Sequence, residues 1–129
     1  MSFILIPENG EDIKINSWNW RPTIGLLREA KLISDDLWEA MGANGTGATV
    51  NADMAVRIAD YLDQHLQSMK PGDRMRADLS ITSIPKKRFV ITPTTKVEDI
   101  DGVEAYSASY DWLAQFRDFC RSSGGFEVS

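Results

Sequence analysis

Residues 109–126 read SYDWLAQFRDFCRSSGGF, and the period of this stretch decides the fold. Trp112, Leu113, Phe116, Phe119 and Cys120 recur at offsets i, i+1, i+4, i+7 and i+8, so five apolar side chains share one stripe of a helix. Asp111, Gln115, Asp118 and Ser122 fall on the other side. The Ser109 hydroxyl is placed to accept from a free amide of the first turn, and Asp111 sits where the helix dipole favours negative charge. Gly124 or Gly125 can take the left-handed conformation that ends a helix. With Gly125 in that role, Phe126 folds back against Cys120 or its neighbours. A buried aromatic side chain hides ~150–250 Å², so the other helices are expected to pack on this face. Arg117 and Arg121 lie one turn apart on its flank, where like charges repel by roughly a few tenths of a kcal/mol. An acidic partner is therefore expected beside them: Asp118, a neighbouring helix, or, as the alternative, an anionic ligand.

Upstream, Asn51 caps the longest helix, expected to reach about Met69 and to span ~27 Å at 1.5 Å per residue. Ala55, Ile58, Ala59, Leu62, Leu66 and Met69 hold the helical period, and Pro71-Gly72 stops it. Ser34-Asp35-Asp36 opens a short helix with Leu37, Trp38 and Met41 on its apolar face, ended by Gly42. Before it, Trp18-Asn19-Trp20-Arg21-Pro22 places a proline in a first helical turn, where its missing N–H costs little. Ser17 or Asn19 would cap that helix, which is expected to run to about Ile33 with Ile24, Leu27 and Ala30 facing in. Trp18 and Trp20 read as core or core rim, or alternatively as the lining of a ligand pocket.

Phe3 to Ile6 and Ile13 to Ile15 have strand character and flank a turn at Pro7-Glu8-Asn9-Gly10-Glu11, which suggests a hairpin lying on other elements. Between Arg74 and Tyr106 the pattern is weak. Met75, Leu79, Ile81 and Ile84 suit a helix turn or a strand. Phe89 to Thr92 and Val103 to Tyr106 suit strands. The sum is one domain over residues 1–129. Its expected fold is α+β and helix-dominated: three to four helices packed around the C-terminal helix, with a small antiparallel sheet.

The charge balance is 14 Lys+Arg against 19 Asp+Glu, a net −5. That argues against partners bound through phosphate neutralisation, whether nucleic acid or an anionic membrane surface. Cys120 is the single cysteine, so no intrachain disulfide can form, and a reducing compartment follows. The opening MSFILIP lacks a basic n-region and a long apolar run, so a cytoplasmic location is expected.

Chemical motifs are few. The loop of residues 42–47, GANGTG, lacks the Gly-Lys-Ser/Thr of a phosphate loop and the spacing of a dinucleotide fingerprint. Residues 97–102, VEDIDG, have Val97 where a calcium loop needs its first acidic ligand, and Ala108 at its last. His65 is the single histidine and falls on the apolar stripe of the long helix, which excludes a multi-histidine metal site. Cys120 and His65 could in principle pair as nucleophile and base. A cysteine among aromatics, however, acts as a small buried hydrophobe with a raised pKa. Lys86-Lys87-Arg88 reads as a solvated strand end. No cofactor and no metal are expected.

Trp18-Asn19-Trp20-Arg21-Pro22, Asn44-Gly45 and FRDFCRSSGGF (residues 116–126) resemble the W-N-W-R-P-like opening, N-G-like middle loop and F-x-x-F-x-R-x-S-G-G-F-like end of a group of small bacterial proteins without assigned activity. The resemblance implies kinship through the two ends of the chain and, by size and composition, an accessory or immunity-type role. The first functional expectation is a non-enzymatic cytosolic domain that binds a basic or neutral protein, or a second copy of itself. The second is a small-molecule anion pocket or minor enzyme beside Trp18, Trp20 and the C-terminal helix, where Arg21, Arg117 and Arg121 would hold a carboxylate or phosphate.

Overall fold

The computed structural model describes residues 2–43, 45–84 and 106–129. Asn44, the basic run at 86–88, the strand reading of 89–92, the calcium-loop comparison at 97–102 and residues 103–105 of the strand reading that ends at Tyr106 lie outside the described residues. In chain order the elements are β1 (Ser2–Pro7), β2 (Ile13–Asn16), α1 (Ser17–Glu29), α2 (Asp35–Met41), β3 (Ala48–Asn51), α3 (Ala52–Leu66), β4 (Arg74–Arg76), β5 (Ile81–Thr82), β6 (Ser107–Ser109), α4 (Tyr110–Ser123) and β7 (Gly125–Val128). The fold is α+β, with four helices and two small antiparallel sheets among the described residues.

The aromatic stripe of α4 points inward: Trp112, Leu113, Phe116, Phe119 and Cys120 are all buried. Ser109 caps the helix by accepting from the Trp112 amide at 3.1 Å. Trp20 of α1 is fully buried and ties three elements to that stripe. Its ring meets Phe3 of β1 at 6.2 Å and Phe116 of α4 edge-on at 5.5 Å, and its Nε1 donates to the Met41 carbonyl of α2 at 2.8 Å. Trp112 Nε1 donates to Thr23 Oγ1 at 2.9 Å, so a second indole N–H is satisfied inside the core.

The larger sheet has the order β2-β1-β7-β3. Its hairpin β1–β2 matches the sequence expectation, with Phe3 opposite Ile15 and Leu5 opposite Ile13. Two of its strands were not expected. The chain does not stop after the double glycine. Gly124 takes the left-handed conformation (φ 70), Gly125 follows at φ 106, and β7 runs between β1 and β3. The left-handed cap is thus Gly124, not Gly125. Phe126 is the first inward residue of β7 and meets Phe119 at 5.3 Å and Phe116 at 5.9 Å. Residues before Asn51 form β3, so the loop of 42–47 leads into a strand and not directly into a helix cap.

Three helix boundaries also differ. Asn16 caps α1, accepting from the Asn19 amide at 2.9 Å, so Pro22 lies inside the helix, where Thr23 Oγ1 donates to the Asn19 carbonyl at 2.8 Å. α1 ends at Glu29 because Lys31 turns left-handed at φ 59, with Lys31 N donating to Arg28 O and Leu32 N to Leu27 O, both at 3.0 Å. That is a Schellman ending without glycine. α3 ends at Leu66, and the chain tightens through Ser68 N to His65 O and Met69 N to Leu66 O, both 3.1 Å.

The weak region resolves partly into the second sheet, order β5-β4-β6. Met75 is buried at its centre, opposite Ile81 on one side and Ala108 on the other.

Candidate functional site

The residues singled out in the sequence do not gather at one place. Arg117 and Arg121 face α3: Arg117 Nη1 lies 3.0 Å from Asp63, Arg121 Nη2 3.5 Å from Asp60, and Arg117 Nε 3.0 Å from Asp118. The acidic partners required by their spacing are therefore the neighbouring helix and Asp118. The hydrogen bond that Arg117 donates to Asp118 is the main influence holding the Arg117 pKa above its ordinary value. Arg21 stands on α1 and lines a hollow of about 310 Å³ with Ile24, Trp38, Glu39 and Gly42. Trp20 is sealed in the core, and Trp18 lies half out of it, its ring 4.5 Å from that of Tyr106. The pocket expected between Trp18, Trp20, Arg21 and α4 is not assembled, because the two arginines of α4 are turned to α3.

Cys120 is 1% exposed, and burial pushes its thiol well above the ordinary range. His65 is half-buried beside the Tyr61 ring, and desolvation lowers its pKa. The pairs Asp63–Arg117 and Asp60–Arg121 tie α4 to α3. Among the described residues the buried His65 Nε2 has no hydrogen-bond partner, so it is not bonded to the Cys120 thiol as base to nucleophile. Among the described residues, no group of His, Cys, Asp and Glu is placed to hold a metal ion.

A concavity larger than the hollow at Arg21 lies elsewhere, on the four-stranded sheet. Side chains of that sheet alternate strictly. Phe3, Leu5, Ile15, Ala48, Val50, Phe126 and Val128 are buried against the helices, while Ile4, Ile6, Lys14, Thr49 and Glu127 point to the opposite, open face. Register places Ile6 opposite Glu127 and Glu127 opposite Thr49, so these three form one row across β1, β7 and β3. This row floors a cleft of about 730 Å³. One wall is Pro7, Glu8 and Asn9; the other is Asn51 and Ala52 at the start of α3. Gly124 and Gly125 close the end, where Glu8 N donates to Gly125 O at 3.0 Å and Asn9 N to Ser123 O at 2.9 Å.

The cleft offers two carboxylates, two carboxamides, a hydroxyl and an apolar strip from Ile6 and Pro7. Among the described residues that line it there is no nucleophile activated by a base and no cation. Sequence reading missed it because its lining comes from three segments far apart in the chain. The available signal was the two-residue alternation in ATVN (residues 48–51) and GFEV (residues 125–128).

No family model, curated protein or solved structure matches this chain. No helix among the described residues is long and apolar enough to cross a membrane.

Proposed function

We propose that this chain is a non-enzymatic, cytosolic protein-binding domain, accessory or immunity-like in role, that docks a partner protein or a second copy of itself on the open face of the β2-β1-β7-β3 sheet. The observation that carries the reading is the uncovered pair Ile4 and Ile6, 37% and 38% exposed, two residues apart on one strand and continuous with the cleft. Apolar side chains in an ordered sheet that no helix covers among the described residues are a surface ready for burial by another chain. The net charge of −5 disfavours nucleic acid and anionic membrane as the partner.

The test is affinity capture from a lysate of the source organism, run in parallel with sedimentation velocity for self-association. Wild type and an Ile4→Glu/Ile6→Glu variant are compared after circular dichroism confirms equal folding. A retained protein, or a dimer, that the variant loses supports docking on this face. Identical behaviour of the two proteins removes the reading.

A second reading, a small-molecule anion pocket, keeps one supporting observation. Arg21 lines its hollow beside Ile24 and Trp38 and makes no ion pair among the described residues. Thermal shift with phosphate and small carboxylates tests it, and no stabilisation at millimolar anion counts against it.

A further inference from the structure

Resting on the docking reading above, we propose that the partner is a basic protein and that it seats a lysine or arginine side chain in the sheet-face cleft. The charged head meets a cleft carboxylate, Glu8 or Glu127, and the aliphatic stem lies along Ile6 and Pro7.

Charge distribution is the first support. The three segments that line the cleft, residues 6–9, 49–52 and 124–127, contain no Lys or Arg. Their flanks add Glu11, Asp12 and Asp53, and the nearest cations in the chain are Lys14, Arg57 and Arg121. Lys14 lies outside the cleft, across from Ile4. Arg121 is turned to Asp60. Arg57 is five residues along α3 from Ala52, roughly 7 Å from the cleft end of that helix. Among the described residues the charge at this end of the open face is therefore negative, and it steers a positive partner and not merely any partner.

The second support is the state of the groups themselves. Glu8 and Glu127 are exposed and are in no ion pair among the described residues. The start of α3 also faces the cleft, and a helix start ordinarily favours an anion. Here that positive end is offset within the chain: Asn51 Oδ1 accepts from the Met54 amide at 2.8 Å, and Asp53 stands in the first turn. The third support is shape. Exposed Ile6 beside Pro7 gives the apolar track that a long cationic side chain covers while its head stays at a carboxylate. At about 730 Å³ the cleft has room for such a side chain together with the backbone that carries it.

The experiment titrates ¹⁵N-labelled protein with hexalysine at low salt and follows amide shifts. Hexaglutamate and a Gly-Ser hexapeptide serve as comparison probes. Two double variants change the net charge equally: Glu8→Gln/Glu127→Gln in the cleft, and Asp36→Asn/Asp111→Asn at the first turns of α2 and α4. The expected result is hexalysine shifts confined to residues 6–9, 49–52 and 124–127. The first double variant should bind about tenfold more weakly, from two exposed ion pairs lost, and the second should stay within about twofold of wild type. Equal weakening by both variants, shifts spread elsewhere, or equal cleft binding by the Gly-Ser peptide would overturn the basic-partner proposal. That failure is distinct from failure of the docking reading. The Ile4→Glu/Ile6→Glu capture experiment reports on the open face whatever the charge of the retained protein.

Discussion

Replacing Gly125 with alanine should be among the most costly single-methyl additions in this chain. Two effects add. Gly125 sits at φ 106, outside the region that residues with a Cβ occupy comfortably. That conformation alone costs roughly 1–2 kcal/mol or more for an L-residue. The added Cβ would also lie 2.8 Å from the Val50 carbonyl oxygen and 3.2 Å from the Ala52 nitrogen. Both are backbone atoms of the β3–α3 junction, so no side-chain rotation relieves the contact, and overpacking of this kind costs about 1–3 kcal/mol. The sum, about 2–5 kcal/mol, is a large part of an ordinary domain stability of ~5–15 kcal/mol. The assay is equilibrium urea unfolding followed by tryptophan fluorescence and far-UV circular dichroism, with the midpoint shift read at constant slope.

Gly10→Ala supplies the control. Gly10 has a similar φ of 101, yet nothing lies within 4 Å of its built Cβ. Its substitution isolates backbone strain, together with the unfolded-state entropy change common to any Gly→Ala replacement. The difference between the two variants is then the close approach of β7 to β3. If Gly125→Ala is no more destabilising than Gly10→Ala, within about 0.5 kcal/mol, the β7–β3 contact is not as tight as described and the sheet order is in doubt.

Lys31→Gly should stabilise the protein by about 0.5–1 kcal/mol, because Lys31 closes the Schellman end of α1 in a left-handed conformation that glycine adopts at no steric cost; a lowered urea midpoint would contradict this. His65 has a folded-state pKa below its ordinary 6.5 because burial disfavours its charge. The unfolded chain therefore binds the extra proton first, and stability present above pH 6.5 is lost as pH falls toward the lower folded value. Subtracting the pH–stability curve of His65→Leu from that of wild type should expose this loss, and a flat difference from about pH 8 to about pH 5 would show that His65 is not desolvated. Cys120 should resist a thiol reagent in native buffer and react fully in denaturant, since it is 1% exposed and its thiolate is disfavoured by burial; prompt native labelling would mean that α4 does not pack as described.

What the sequence made legible were segments that carry their own instructions. α3 and α4 hold a helical period for several turns, and their caps are local: Asn51 to the Met54 amide, Ser109 to the Trp112 amide. Ser34 does the same for α2. The short strands carry no such instructions. β7 exists because Leu5 lies opposite Val128, and nothing within four residues of alternating GFEV reveals a partner at the other end of the chain. The end of α1 was hidden for a related reason: Lys31 takes a conformation usually signalled by glycine. The site shares the strands' difficulty. Ile6, Glu127 and Thr49 are unremarkable until register sets them in one row. Arg21, Arg117 and Arg121 looked equivalent by type, yet Asp60 and Asp63 of α3 take two of them and leave the third by Trp38.

Gly125 belongs to both halves of this account. It permits β7 to approach β3, and it closes one end of the cleft. A side chain placed there would fill part of the site and strain the sheet together, so lost binding in a Gly125 variant could not be told from lost folding. Glu8 and Glu127 escape that confusion. Glu8 lies just beyond the end of β1, and Glu127 points outward from a strand whose inward residues, Phe126 and Val128, carry the packing. Removing either charge leaves the aromatic contacts of Phe126 with Phe116 and Phe119 intact. The alternation that buries one face of β7 thus makes the recognition chemistry of the other face separable from stability.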